Sequence, residues 1–446
     1  MRIFNSQFCR KSLICVLTAS LGIALNCGAY SVLTHEAIID SAWDAAIKPL
    51  LLQRFPNATH DELRAAHAYA YGGSVVQDMG YYPFGSEFFS NLVHYVRTAD
   101  FCSALVRDSQ NLNDYAFALG AVAHYAADNN GHKIAVNSGE PLLYPKLRAK
   151  YGDTVFYDQD PAAHLKTEFG FDVLQVARGH YAPDDYRDHI GFEVAQSLLE
   201  KAFEETYGLK LDAIFTSYDL AIGSYRYGVS GVIPQMTKVA WKIKKDEIQK
   251  EIPDITRKRF LYHLSRSSYE KRWSNTYKRP GIGTDILAFL IRILPKIGPL
   301  RALAFKVPTP PVEQMFMASF NAAVTDYEKD LQDQKDTGQL PLINDNFDTG
   351  TVTGPGQYPL ADKTYAELVD RLAKDHFANV TPEIRSTILD FYKDPNAPFT
   401  TKKKKKEWAK VTQEIEELKA FTPKTSPAPA SSSLQVVDWT AFVSPQ

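Results

Sequence analysis

The nine residues His124-Tyr-Ala-Ala-Asp128-Asn-Asn-Gly-His132 decide how this chain is read. On an α-helix, each spacing of four turns the side chain by about 40°, so His124, Asp128 and His132 share nearly one face. The apolar run Leu119-Gly-Ala-Val-Ala123 stands directly before them, so that face looks inward. One buried histidine is ordinarily a satisfied core residue. A buried His/Asp/His stripe is costly without partners or a metal. Imidazole and carboxylate together are zinc-type ligands, and a helix presents them rigidly. The stripe therefore predicts a metal site inside a helical core.

Reading outward, the chain looks helical on both sides. Asn113 to Ala127 has apolar residues at three- and four-residue spacing. Asp160-Pro161 reads as a helix start, with Asp capping and Pro in the first turn. Asp184 to Tyr207 is a further helical stretch, and strand-like alternation is scarce. The fold class expected is all-α, a multi-helix bundle with a mainly helical C-terminal extension. The character of the chain changes near residue 235. Lys238 to Arg279 is basic and interleaved with Trp241, Tyr262, Tyr269, Trp273 and Tyr277, and Gly281 to Phe305 is apolar. A Gly/Thr/Pro-rich loop near Gly350–Pro359 precedes a helical stretch around Tyr365–Tyr392. The expected organisation is a leader at 1–29, a helical domain carrying the histidines at 30–235, a helical region at 236–420 and a disordered tail at 421–446.

Composition narrows the class. The 446 residues hold 50 Lys+Arg against 52 Asp+Glu, with 45% hydrophobic residues. That excludes wholesale disorder and gives no global attraction to nucleic acid, so no nucleic-acid partner is expected. No apolar run reaches the ~20 residues of a bilayer-spanning helix. The basic and apolar segments after residue 235 could lie on an anionic phospholipid surface as a peripheral contact. Interspersed Asp and Glu favour a solvated amphipathic helix followed by a buried one. Lys402 to Lys406, a lysine run before the tail, are read as solvated.

Arg2, Arg10 and Lys11 precede an apolar stretch from Leu13 to Leu25, followed by Asn26-Cys-Gly-Ala29. A basic start, a short apolar core and a small residue at the end predict a secretory signal, with export to the periplasm or medium. Cleavage after Ala29 makes Tyr30 the first mature residue. Three of the four cysteines leave with the leader, and Cys102 is expected as a small buried hydrophobe.

Nine of the eleven histidines lie between His35 and His189, which concentrates ligand chemistry in the first half. His164-Leu-Lys-Thr-Glu168 repeats the four-residue spacing, and alone it would read as an exposed side-chain pair. Together with Thr34-His35, Asp78 and Asn91-Leu-Val-His94 it suggests one polynuclear site. His180 and His189 read as ordinary surface or capping residues.

These stretches, in this order, resemble the zinc-dependent phospholipase C family, and within it the catalytic domain of glycosylphosphatidylinositol-specific phospholipases D. Ser31-Val-Leu-Thr-His35, Gly73-Ser-Val-Val-Gln-Asp78, Val93-His-Tyr-Val96, the His124–His132 stripe and His164 to Asp172 carry the likeness. It spans about Tyr30 to Asp172. The short gap from Asp128 to His132 looks like the phospholipase D-like branch. The resemblance implies three zinc ions. Asp78, His94, His124 and Asp128 would hold the first, and His132, His164 and Glu168 the second. The third would take His35, a bridging oxygen of Asp128 and the α-amine and carbonyl of Tyr30. Trp usually stands in that place, but backbone atoms are the ligands. If the leader is cut elsewhere, two ions are expected. Asp78 is also the candidate general base, and Asp172 a residue behind the ligands. The implied activity is hydrolysis of a phospholipid or another phosphodiester. A nuclease or phosphomonoesterase on the same cluster is the alternative, as is a non-catalytic, metal-stabilised surface-binding protein.

Overall fold

A computed structural model describes residues 32–82, 84–181, 193–227, 233–267 and 302–423. The leader 1–29, Tyr30, His189, most of the apolar Gly281–Phe305 stretch and the tail after Pro423 lie outside the described residues. Among the described residues there is no β-strand, only an isolated bridge between Asn346 and Thr351. The all-α expectation holds.

The fold is organised around the helix Leu112–Asn130, which is buried on nearly every face from Tyr115 to Asp128. Asn111 caps it through hydrogen bonds from the Asn113 and Asp114 amides. The helix His60–Val75 lies alongside, and glycines set the closeness of the two. A Cβ on Gly120 would stand 2.0 Å from the Ala70 carbonyl oxygen, and one on Gly73 would stand 1.9 Å from that of Phe117. Only glycine permits this approach of backbones. The long helix Pro310–Thr337 covers another side, where the buried Tyr327 hydroxyl donates to the Leu119 carbonyl at 3.0 Å.

One hydrophobic core runs from Val32 to Leu418 and includes Phe117, Trp241, Phe316 and Leu368. The change in composition near residue 235 is therefore not accompanied by a break in the core. The Asp160 cap on the helix Pro161–Arg178 is formed as expected, with the carboxylate accepting from the Ala163 amide at 2.9 Å. Two expectations need correction. The helix ending at Tyr207 begins at Gln196, since Val194 and Ala195 are not helical. The stretch Tyr365–Tyr392 is two helices, Pro359–Lys374 and Pro382–Phe391, split by a turn in which His376 and Phe377 have positive φ. Cys102 is fully buried beside Gln77 and Ala121. Lys403 to Lys406 are exposed, whereas Lys402 donates to the Pro395 and Ala397 carbonyls.

Candidate metal centre

The centre is assembled at the inner end of the Leu112–Asn130 helix, where His124 and Asp128 point into a polar interior. His94 comes from the helix Glu87–Tyr95, and Asp78 from the tight 3₁₀ turn Val76–Tyr81. Ser90 ties these two elements together. Its hydroxyl donates to the Gln77 carbonyl at 2.5 Å and accepts from the Gly80 amide at 3.0 Å. Asp78 is thereby held opposite His94. His94 Nε2 lies 3.4 Å from Asp78 Oδ1, 3.4 Å from Asp128 Oδ2 and 3.4 Å from His124 Nε2. His124 Nε2 lies 3.1 Å from Asp128 Oδ2.

These separations are those of ligands sharing an ion. Four donors about 2.1 Å from a tetrahedral zinc stand about 3.4 Å from one another. The histidines are also held with the correct nitrogen inward. His94 Nδ1 meets the Ser90 carbonyl at 2.7 Å, His124 Nδ1 the Ser74 carbonyl at 2.9 Å and His132 Nδ1 the Phe347 carbonyl at 2.9 Å. A carbonyl only accepts, so the proton sits on Nδ1 and each Nε2 lone pair faces the interior.

His35, from the helix Val32–Ala42, forms an adjoining group with His124 and Asp128. Its Nε2 is 3.5 Å from Asp128 Oδ1, and its ring stacks on that of His124 at 4.4 Å. Asp128 thus presents one oxygen to each group. Asp172, on the helix Pro161–Arg178, bonds the start of the His35 helix. It accepts from the Leu33 amide at 3.2 Å and the Thr34 hydroxyl at 2.8 Å, which anchors the helix carrying His35.

His132 departs from the simple stripe. The α-helix ends at Asn130, and Gly131–Val136 forms a π-helical turn. The wider i→i+5 pairing changes the rotation per residue, so His132 turns away from His124 towards a different group. There His164 Nε2 is 2.9 Å from Glu168 Oε1, and His132 Nε2 is 3.8 Å from the same oxygen. Two further buried carboxylates stand here that sequence reasoning missed. Glu140 Oε2 is 3.8 Å from His164 Nδ1, and Asp348 Oδ1 is 3.5 Å from His132 Nδ1. Asp348 falls in a Gly/Thr-rich loop some two hundred residues from its partner, and no local pattern marks it. His180 takes no part, its Nδ1 lying 2.6 Å from the Gln175 side-chain oxygen.

The electrostatics fit a cation. Burial, then the nearby His124, pushes the His35 imidazole down to about 3. Burial also opposes the charged form of His94, yet the carboxylates of Asp128 and Asp78 beside its Nε2 lift it to about 9. Burial and His132 hold His164 well below the usual imidazole range. Imidazoles this close push one another's protons off, whereas a shared divalent cation satisfies them together. Asp78 Oδ1, both Asp128 oxygens, His132 Nε2 and Asp348 Oδ1 are buried and make no hydrogen bond. Uncompensated burial of such atoms costs on the order of 1–3 kcal/mol each, more for charged groups. The donor set of imidazole nitrogens and carboxylate oxygens suits zinc.

Residues 34–216 match the family model described as zinc dependent phospholipase C. The match contains His35, Asp78, His94, His124, Asp128, His132, His164 and Glu168, and stops before Asp348. No curated protein and no solved structure gives a significant match to the chain. The matched segment, the all-helical architecture and the converging histidines and carboxylates agree, and residues 34–216 are similar to the zinc dependent phospholipase C family.

Proposed function

We propose that this protein is an exported zinc hydrolase that cleaves phospholipids at a phosphodiester bond. The observation that carries the reading is the convergence of buried His and Asp donors at the mutual spacing of ligands on one ion. Asp78, His94, His124 and Asp128 would hold one ion, and His132, His164 and Glu168 a second. His35 and Asp128 would hold a third, together with the amine and carbonyl of Tyr30 once the leader is removed. Bound zinc supplies Lewis acidity to the phosphate oxygens and acidifies a water near neutral pH.

The chain's own residues supply the rest. Asp128 directs one carboxylate oxygen to each neighbouring group, which fixes the spacing of the donors. The Ser90, Ser74 and Phe347 carbonyls keep the protons on Nδ1 of His94, His124 and His132. Asp78, whose Oδ1 makes no hydrogen bond, would take a proton from the attacking water. Tyr81, Tyr95 and Tyr157 are largely buried around His94 and His164 and limit bulk water there. The substrate would be met by peripheral contact with a phospholipid surface; no helix among the described residues is long and apolar enough to cross a membrane.

The test is product analysis on phospholipid vesicles with the purified mature protein. Diacylglycerol with a phosphorylated head group marks C-type scission, and phosphatidic acid with the free head group marks D-type. Either product, lost on chelation and restored by zinc, supports the reading. Inert vesicles, together with nucleotides released from single-stranded DNA, would move the protein to the nuclease alternative. No hydrolysis of any ester by the zinc-loaded protein would leave only a metal-stabilised binding protein.

A further inference from the structure

The turn Asn346–Thr351 lies about 130 residues beyond the family match, yet it is bound to the metal centre at several points. The Phe347 amide donates to the His94 carbonyl at 3.0 Å, and the Phe347 carbonyl accepts from His132 Nδ1 at 2.9 Å. The Phe347 ring packs edge-on against His94, with centroids 5.3 Å apart. Gly350 has φ +61°, and a Cβ there would stand 2.4 Å from the Asn129 carbonyl oxygen, so the turn also seats on the end of the His124 helix. Asn137 Nδ2 donates to the Asp348 carbonyl at 2.6 Å.

Within this turn the Asp348 side chain is fully buried and rigidly held. Its Oδ2 accepts from the Tyr358 hydroxyl at 2.8 Å and the Tyr157 amide at 3.0 Å. Its Oδ1 makes no hydrogen bond and faces His132 Nδ1 at 3.5 Å. The geometry distinguishes a ligand from a supporting group. His132 donates its Nδ1 proton towards the Phe347 carbonyl, and Nε2 is the nitrogen that faces Glu168. Asp348 is therefore on the far side of the ring from the donor atom.

We infer that Asp348 is a positioning residue for His132, and that the chain beyond the family match completes the second metal group. The carboxylate and the Phe347 carbonyl together hold the proton on Nδ1, fix the ring plane and make Nε2 a stronger donor. This rests on the zinc reading above. It gives the C-terminal region a role in the centre, beyond covering the core.

The test compares full-length wild type with Asp348→Asn, Tyr358→Phe and His132→Gln by titration with a graded zinc chelator, together with melting of the metal-free forms. Asn at 348 keeps the size of the side chain but removes its charge. We expect one ion to be held about 10- to 100-fold more weakly in Asp348→Asn, the usual cost of losing such support. The same ion should be missing in His132→Gln, and Tyr358→Phe should show a smaller shift in the same direction. Metal-free melting temperatures should match. If Asp348→Asn holds every ion as wild type does, the inference is overturned while the zinc reading stands. Loss of all ions with a lowered metal-free melting temperature would make Asp348 a fold residue, which also overturns it. Wild type that binds no zinc removes the underlying reading, and this inference with it.

Discussion

Asp128 is the residue on which the centre turns. Its two oxygens face His35 on one side and His94 and His124 on the other, all within 3.5 Å. Asp128→Ala should therefore remove more than one ion, whereas His132→Gln should remove one. Hydrolysis should fall about 10³-fold in the first, on the scale of losing a main charge-stabilising group. Zinc content measured beside activity checks this, and an Asp128→Ala protein with wild-type zinc would contradict it. A second residue, far from the centre, carries a pH signature. Glu414 is buried in the helix Lys405–Ala420, and burial followed by the charge of Asp370 lifts its carboxyl to about 7. A carboxyl raised above its unfolded value of 4.5 favours the folded state fully below pH 4.5, and this contribution disappears as pH rises through 7. Glu414→Gln should melt like wild type relative to its own value at pH 4, yet gain on the order of 1 kcal/mol over wild type by pH 8, with Lys410 screening part of the effect. Equal pH dependence in the two proteins would show that Glu414 titrates normally.

At the scale of elements, the close packing of His60–Val75 on Leu112–Asn130 sets the position of the ligands. His124 leans on the Ser74 carbonyl across that contact, so any separation of the helices moves a donor. Gly120→Ala would force a Cβ against the Ala70 carbonyl, at a cost of about 1–3 kcal/mol for overpacking. Thermal melting should show the loss, and zinc affinity should fall with it; an unchanged melting temperature would mean the contact is loose. Much at this scale was legible in the sequence. The apolar period of Leu112–Asn130 and the Asp160-Pro161 cap are local signals, and both elements form where those signals stand. The π-helical turn at Gly131 was not legible, because a change of hydrogen-bond register leaves no mark in a four-residue spacing. The stripe accordingly put His132 on the same face as its neighbours, whereas the structure turns it to a second group.

For the molecule as a whole, the first half and the C-terminal region share one core and one polar interior. Family likeness made most of the candidate ligands readable because they recur in short ordered motifs. Asp348 and Phe347 remained hidden because their contacts with His132 and His94 exist only after folding brings residue 347 to residue 94. The same closure predicts that a chain ending at residue 235 will not fold cooperatively. It would expose the side of Leu112–Asn130 that Pro310–Thr337 covers, and near-ultraviolet circular dichroism should show no sharp transition. A sharp transition in that fragment would instead make the first half an autonomous domain. The central claim is that the buried histidines and carboxylates hold zinc, and the most direct measurement is elemental zinc per chain in the mature full-length protein. The account predicts two ions or more, with three when Tyr30 is the N-terminal residue. Absence of zinc, even after reloading, would contradict it and leave His124, Asp128 and His132 as an uncompensated polar stripe.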